Sequence, residues 1–90
     1  MYFVTNKRNG ILYAGVTADL PRRAYEHRCG SIKGFSKTYG LKRLVYYEQF
    51  DDIRDAIQGE KTIKHWPRAW KIRLIHVMNP AWDDLYDHFS

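Results

Sequence analysis

Tyr13, Arg23 and His27 are the side chains whose types and spacing could do chemistry in the first third of this chain. A tyrosine can exchange a proton, an arginine can neutralise a charged phosphate, and a histidine can do either. Together they are groups that would be gathered around a phosphodiester to be cut. Leu12-Tyr13-Ala14-Gly15-Val16-Thr17 reads as a short strand ending on a glycine, and Asp19-Leu20-Pro21-Arg22-Arg23 reads as the start of a helix. Arg23 and His27 lie four residues apart, hence on one helix face. Leu20, Arg23, Ala24 and His27 follow the i, i+3, i+4, i+7 pattern of a core-facing stripe, yet two of the four are polar. Such a face is either exposed or lines a cleft.

The elements that must position these groups are legible in outline. Tyr2 to Thr5 and Ile11 to Val16 are β-prone runs around Asn6-Lys7-Arg8-Asn9-Gly10, and Asn-Gly is a strong hairpin signal. Any hairpin loop with an even residue count puts Tyr2 and Tyr13 on one sheet face. A four-residue loop, Asn6 to Asn9, would set them directly opposite, whereas a tight two-residue turn at Asn9-Gly10 would offset them by four positions; the longer loop is the one that lets both serve one site. Asp19 is the expected N-cap of the first helix, with Pro21 tolerated in its first turn. Gly30 to Gly40 reads as a basic loop carrying Phe35, Lys37 and Tyr39. Leu44-Val45-Tyr46-Tyr47 is the expected third strand. Asp51 or Asp52 caps a second helix running to about His65, with Ile53, Ala56, Ile57, Glu60 and Ile63 on its inward stripe. Glu60 stands where that stripe calls for an apolar residue, and Gly59 beside it leaves room for a neighbour. Trp66-Pro67 breaks the helix, and a third runs from near Pro67 to just before Asn79-Pro80.

Composition narrows the classes. Ninety residues, 44% apolar and 16% aromatic, suffice for one domain with a modest core and no staple. The single cysteine, Cys29, has no internal disulfide partner, no run suggests a signal peptide, and no apolar run approaches the ~18 residues of a membrane span. A cytoplasmic protein is the expectation. The net charge of +5 is unevenly placed: twelve of the fifteen Lys and Arg lie in 22–43 and 61–73. These stretches interleave with Tyr25, Phe35, Tyr39, Trp66 and Trp70, a footprint that suits nucleic acid. Glu26 is the only acid inside them. Lys37, Lys61, Lys64, Arg68 and Lys71 are the candidate phosphate contacts. His65, His76, His88 and Cys29 show no zinc-ligand spacing.

The order of these features resembles the GIY-YIG nuclease superfamily, in particular its small stand-alone bacterial members. Tyr2 matches the tyrosine of the first half-motif and Tyr13-Ala14-Gly15 the second, eleven residues on. Arg23 and His27 match the helix arginine and histidine, Glu60 the metal-binding glutamate, and Asn79 the late asparagine. Two positions depart from the pattern. The first half-motif lacks its glycine because Tyr2 follows Met1, and Ala14 replaces the usual isoleucine.

The resemblance implies an α+β fold: a three-stranded, mainly antiparallel sheet flanked by helices in one domain, residues 1–82, with a short acidic and aromatic tail, 83–90. It implies a metal-dependent endonuclease that hydrolyses DNA phosphodiester bonds and is structure-selective or acts on single strands, in a setting such as DNA repair. The implied metal is Mg²⁺ or Mn²⁺ on Glu60, with Tyr2, Tyr13, Arg23, His27 and Asn79 as catalytic side chains. Tyr2 is favoured as general base, its phenol made more acidic by Arg23, His27 and the metal, with Tyr13 and His27 left open for that role. The expected partner is DNA, whether duplex, branched or single-stranded, with RNA and the oligomeric state left open. The rival expectation is a non-catalytic nucleic-acid-binding module on the same scaffold.

Overall fold

The computed structural model describes residues 1–30 and 39–89. Strand β1 (Tyr2–Thr5) lies at the centre of a three-stranded sheet, between β2 (Leu12–Gly15) and β3 (Arg43–Tyr47), and both pairings are antiparallel. Strands β1 and β3 are rich in aromatic and β-branched residues, which fit a pleated, half-buried surface. The sheet is therefore the expected one, with helices on its faces.

The hairpin register differs from the four-residue expectation. Thr5 faces Leu12 and Tyr2 faces Gly15, so six residues, Asn6 to Ile11, make the connection. Asn9 alone takes a left-handed conformation there, at φ 57°. Gly10 N–H donates to the Lys7 carbonyl at 2.9 Å, and Ile11 N–H to Asn6 Oδ1 at 3.1 Å. The Asn6 side chain closes the wider loop that Asn-Gly alone did not announce. The even count keeps Tyr2 and Tyr13 on one face, but Tyr13 pairs with Val4, two positions along from Tyr2.

Helix α1 (Leu20–Arg28) starts at Asp19, whose Oδ1 accepts from Arg22 N–H at 3.3 Å. Its buried Leu20 and Ala24 pack with Tyr2, Val4, Leu41, Leu44 and Leu85 on one face of the sheet. On the other face Phe3, Ala14, Val45 and Tyr46 meet Ile63 of α2 (Ile53–Lys64), Ile75 of α3 (Arg68–Met78) and Trp82. Asp52 caps α2, with its Oδ1 accepting from Arg54 N–H at 2.9 Å. Gly59 gives Phe50 its seat: a Cβ there would lie 3.3 Å from the Phe50 ring. Not all of the expected α2 stripe turns inward. Ala56 and Ile63 are buried, whereas Ile53 and Ile57 are 44% and 40% exposed.

The stretch set apart as a tail lies against the sheet. A 3-10 turn, Leu85–Phe89, packs on β3 through buried Leu85. Arg28 of α1 holds it by ion pairs to Asp87 at 2.9 Å and Asp84 at 3.8 Å. The expected loop between Gly30 and Gly40, with Lys37 and Phe35, falls largely outside the described residues. No helix among the described residues is long and apolar enough to cross a membrane.

Candidate active site

Gly15 explains why the site forms where it does. It faces Tyr2 across the β1–β2 pair, and a Cβ at that position would sit 2.5 Å from the Tyr2 ring and hydroxyl. Only a residue without a side chain lets the phenol lie flat over β2. From there the Tyr2 hydroxyl reaches His27 Nε2 at 3.1 Å, and the two rings meet edge to face with centroids 5.4 Å apart. Both residues are almost fully buried, at 4% and 2% exposure. The Tyr13 ring lies 6.5 Å from that of His27, so strand β1, strand β2 and the last turn of α1 converge on one point.

Burial moves both titratable groups of the pair toward their neutral forms. Burial pushes the Tyr2 phenol up to about 12. Arg23 pulls it down, while Tyr13, Glu26 and Glu60 add to the upward push. The expected acidification of Tyr2 by its cationic neighbours therefore does not win: desolvation outweighs Arg23. Burial also lowers His27 from its ordinary 6.5, and Arg23 lowers it further; the Leu41 backbone and Glu26 oppose them. Although the Leu41 backbone lies near enough to favour a charged ring, His27 Nδ1 makes no hydrogen bond of ordinary geometry among the described residues. His27 is thus a neutral imidazole at pH 7. With its proton on Nδ1, Nε2 is free to accept from the Tyr2 hydroxyl.

Arg23 sits one turn before His27, partly exposed at the mouth of the site, with Nε 3.8 Å from Glu26. Glu60 comes from α2, which packs alongside β2. Its side chain is only 12% exposed and takes the Lys64 ammonium at 2.8 Å, which raises Lys64. Its charge bears weakly on the Tyr2 phenol. Glu26 acts on both Tyr2 and His27 and was not among the expected site residues. Its signal was in the sequence: it is the lone acid of its basic stretch, one turn from Arg23.

Asn79 is placed elsewhere. It is buried at the end of α3, with Nδ2 donating to the Val45 and Asp83 carbonyls at 3.2 and 2.8 Å and Oδ1 accepting from Asp83 N–H at 3.0 Å. That amide clasps β3 to the last segment and is spent on backbone rather than on the Tyr2–His27 pair. Among the candidate phosphate contacts, Lys61 is exposed and Lys64 is paired with Glu60. Arg68 donates to the Asn9 and Gly10 carbonyls of the hairpin loop, and Lys71 Nζ to the Lys64 carbonyl at 3.3 Å. Lys37 lies outside the described residues.

A Mg²⁺ ion is bound through one or two carboxylates and keeps several waters. Glu60 fits that mode as a hard oxygen donor, provided the Lys64 ammonium gives way. Among the described residues no group of three His, Cys, Asp or Glu stands together, which leaves the single-carboxylate mode as the one the donors suit.

Comparison with known proteins shows the family. Residues 1–73 match the GIY-YIG catalytic domain, and the chain belongs to that family. The matched span holds Tyr2, Tyr13, Arg23, His27 and Glu60 and leaves out Asn79. Similar proteins include a UPF0213 protein of Bacillus pumilus, 31% identical over 97% of this chain and 89% of its own length. Others are UPF0213 proteins of Staphylococcus saprophyticus, 32% identical over 81% of this chain and 89% of its own, and of Natronomonas pharaonis, 34% identical over 81% and 86%. None of those names states an activity, and their sources are more varied than a bacterial subgroup. No solved structure gives a significant match.

Proposed function

We propose that this protein is a metal-dependent endonuclease that hydrolyses DNA phosphodiester bonds in the cytoplasm. The observation that carries the reading is the buried Tyr2–His27 pair, 3.1 Å apart, one helical turn from Arg23 and with the Glu60 carboxylate near enough for its charge to bear on Tyr2.

Hydrolysis needs an activated water, a neutralised phosphorane and relief of charge on the leaving oxygen. At about 12, Tyr2 is protonated at neutral pH and cannot act as a base by itself. Its hydrogen bond supplies the remedy. As the attacking water gives a proton to the Tyr2 oxygen, the phenol proton passes to neutral His27 Nε2. No phenolate need build up. Burial of His27 keeps the imidazole unprotonated and ready to receive. Tyr13, on the same face, holds the water or a phosphate oxygen. Arg23, at the cleft mouth, offers a guanidinium fork to the non-bridging oxygens. A Mg²⁺ or Mn²⁺ held by Glu60 would supply Lewis-acid stabilisation of the phosphate and leaving oxygen.

The Glu60–Lys64 pair is the one observation that favours the rival, a binding module without catalysis. Purified protein incubated with supercoiled plasmid and with nicked or branched DNA separates the two. Cleavage is expected with Mg²⁺ or Mn²⁺ and none with EDTA. Glu60→Ala should abolish cleavage while DNA binding persists or improves, because a negative charge has been removed. Undiminished Mg²⁺-dependent cleavage by Glu60→Ala would remove the glutamate from its role. Binding without cleavage by the wild type would leave the rival standing.

A further inference from the structure

The loop joining β1 to β2 stands against the start of α3, and a hollow of about 480 Å³ opens between them. Asn6, Lys7, Asn9, Gly10, Ile11 and Arg68 line it. It lies past Thr5, at the opposite end of β1 from Tyr2, and is separate from the Tyr2–His27 pair. Its two charged side chains, Lys7 and Arg68, are both cations, and no acid lines it. Neither cation is in an ion pair among the described residues. The two segments that form the hollow have no acid to offer: residues 2–18 and 61–82 contain no Asp or Glu. Arg8, beside Lys7, adds a third exposed cation.

Hydrogen bonding gives the same sign. The Lys7 carbonyl accepts from Gly10 N–H at 2.9 Å and from the Thr5 hydroxyl at 3.0 Å, and Asn6 Oδ1 accepts from Ile11 N–H. The Asn9 and Gly10 carbonyls accept from Arg68 Nη2, which braces the loop to α3. These acceptors are spent inside the fold, and donors are left over. The Lys7 ammonium, Arg68 Nη1 and Nε, and Asn6 Nδ2 have no partner among the described residues. Unpaired donors and like charges around one hollow repel each other until an anion joins them.

We infer that this hollow is an outlying contact for the phosphate backbone of DNA, with Lys7 as point charge and Arg68 as fork. It has room for a phosphodiester with its sugars. Such a contact positions a duplex and carries no base information. The inference rests on the DNA-binding half of the reading above and not on cleavage.

Lys7→Gln carries the test, because Arg68 also braces the loop, whereas the loop uses only the backbone of Lys7. The variant should fold normally, which circular dichroism checks. Arg54→Gln is the control: it removes an equal charge from an exposed residue paired with Asp52. Affinity for short DNA duplexes is read by fluorescence anisotropy in EDTA, over roughly 50 to 200 mM salt. Lys7→Gln should weaken binding roughly fivefold at the low-salt end and flatten the slope of log K against log salt by about 0.9, as loss of one phosphate contact does. The loss should be equal for duplexes of different sequence, and Arg54→Gln should leave the slope in place.

An unchanged slope in Lys7→Gln, or a change matched by Arg54→Gln, overturns the inference, as does a wild type that binds no duplex. A loss confined to one sequence overturns the backbone assignment and makes Lys7 a base contact. Asn9 and Gly10 amide resonances that shift with inorganic phosphate, beside duplex binding indifferent to Lys7→Gln, would assign the hollow to free phosphate instead. Because binding is read without metal, a wild type that binds through Lys7 yet never cleaves keeps this contact and loses the nuclease reading. One that cleaves while Lys7→Gln leaves binding unaltered does the reverse.

Discussion

At the residue scale the account turns on how a weak base is made useful. A lone buried phenol raised to about 12 is further from a general base than tyrosine in water. The same burial lowers His27, and the 3.1 Å bond between them lets the second effect offset the first. Each residue is poorly suited alone and serviceable as half of a relay. Arg23 has a different task, since its charge is useful only once the phosphorane forms. Arg23→Ala should therefore cost about 2.7–4 kcal/mol of transition-state stabilisation, as loss of one preorganised donor does elsewhere. Single-turnover rates and binding constants measured side by side check this. An equal, small fall in affinity and rate would make Arg23 an ordinary backbone contact.

At the element scale, α1 and the hairpin were legible because their signals are local. Asp19, Pro21 and the stop near Gly30 bound the helix, and even loop parity alone puts Tyr2 and Tyr13 on one face. The register was not legible, because a side chain settles it: Asn6 accepting from Ile11 N–H holds open a six-residue loop where Asn-Gly suggested a tighter one. The roll of α2 about its axis was hidden for a similar reason. Phe50 seated on Gly59 turns Ala56 and Ile63 inward and leaves Ile53 and Ile57 out, a long-range packing choice that periodicity cannot see. Asn79, expected in the site, spends its amide on holding a chain segment. It fixes the turn that carries Trp82, fully buried at φ 58°. Asn79→Ala should accordingly cost about 1–3 kcal/mol in folding stability by leaving buried backbone groups unpaired. Denaturant unfolding measures that loss, and the folded variant should keep its kcat. A stable Asn79→Ala protein with dead catalysis would return the residue to the active site.

At the scale of the whole molecule, three strands separate two small cores, and the site lies beside edge strand β2, against which α2 packs and whose Tyr13 ring approaches His27 of α1. Its buried titratable groups tie folding to pH from both sides. The unfolded chain protonates histidine near 6.5, whereas native His27 resists protonation. The unfolded state therefore binds more protons as pH falls through 6.5. The His27 contribution is complete above that pH and is lost progressively on the way down to the depressed native value. For Tyr2 the native phenol holds its proton to about 12 against 10.0 unfolded, so its contribution is complete below pH 10 and lost between 10 and 12. Urea midpoints across acid pH should fall below 6.5 in the wild type and flatten in His27→Gln. Cleavage should fail over the same acid range, since a protonated His27 cannot accept from Tyr2. A wild-type midpoint that is flat through this range would mean His27 titrates normally.

The relay itself is tested most directly by removing one oxygen. Tyr2→Phe keeps the ring over Gly15 and deletes only the hydroxyl that faces His27 Nε2. Measured as a single-turnover cleavage rate with saturating DNA and Mg²⁺, the variant should be slowed roughly a hundredfold or more, the usual range for loss of general acid–base catalysis. DNA affinity should stay near the wild-type value, and folding stability, read from the unfolding midpoint, should fall only by what one orphaned buried acceptor costs, about 1–3 kcal/mol. A Tyr2→Phe protein that cleaves at the wild-type rate would contradict the account and leave Tyr2 a packing residue.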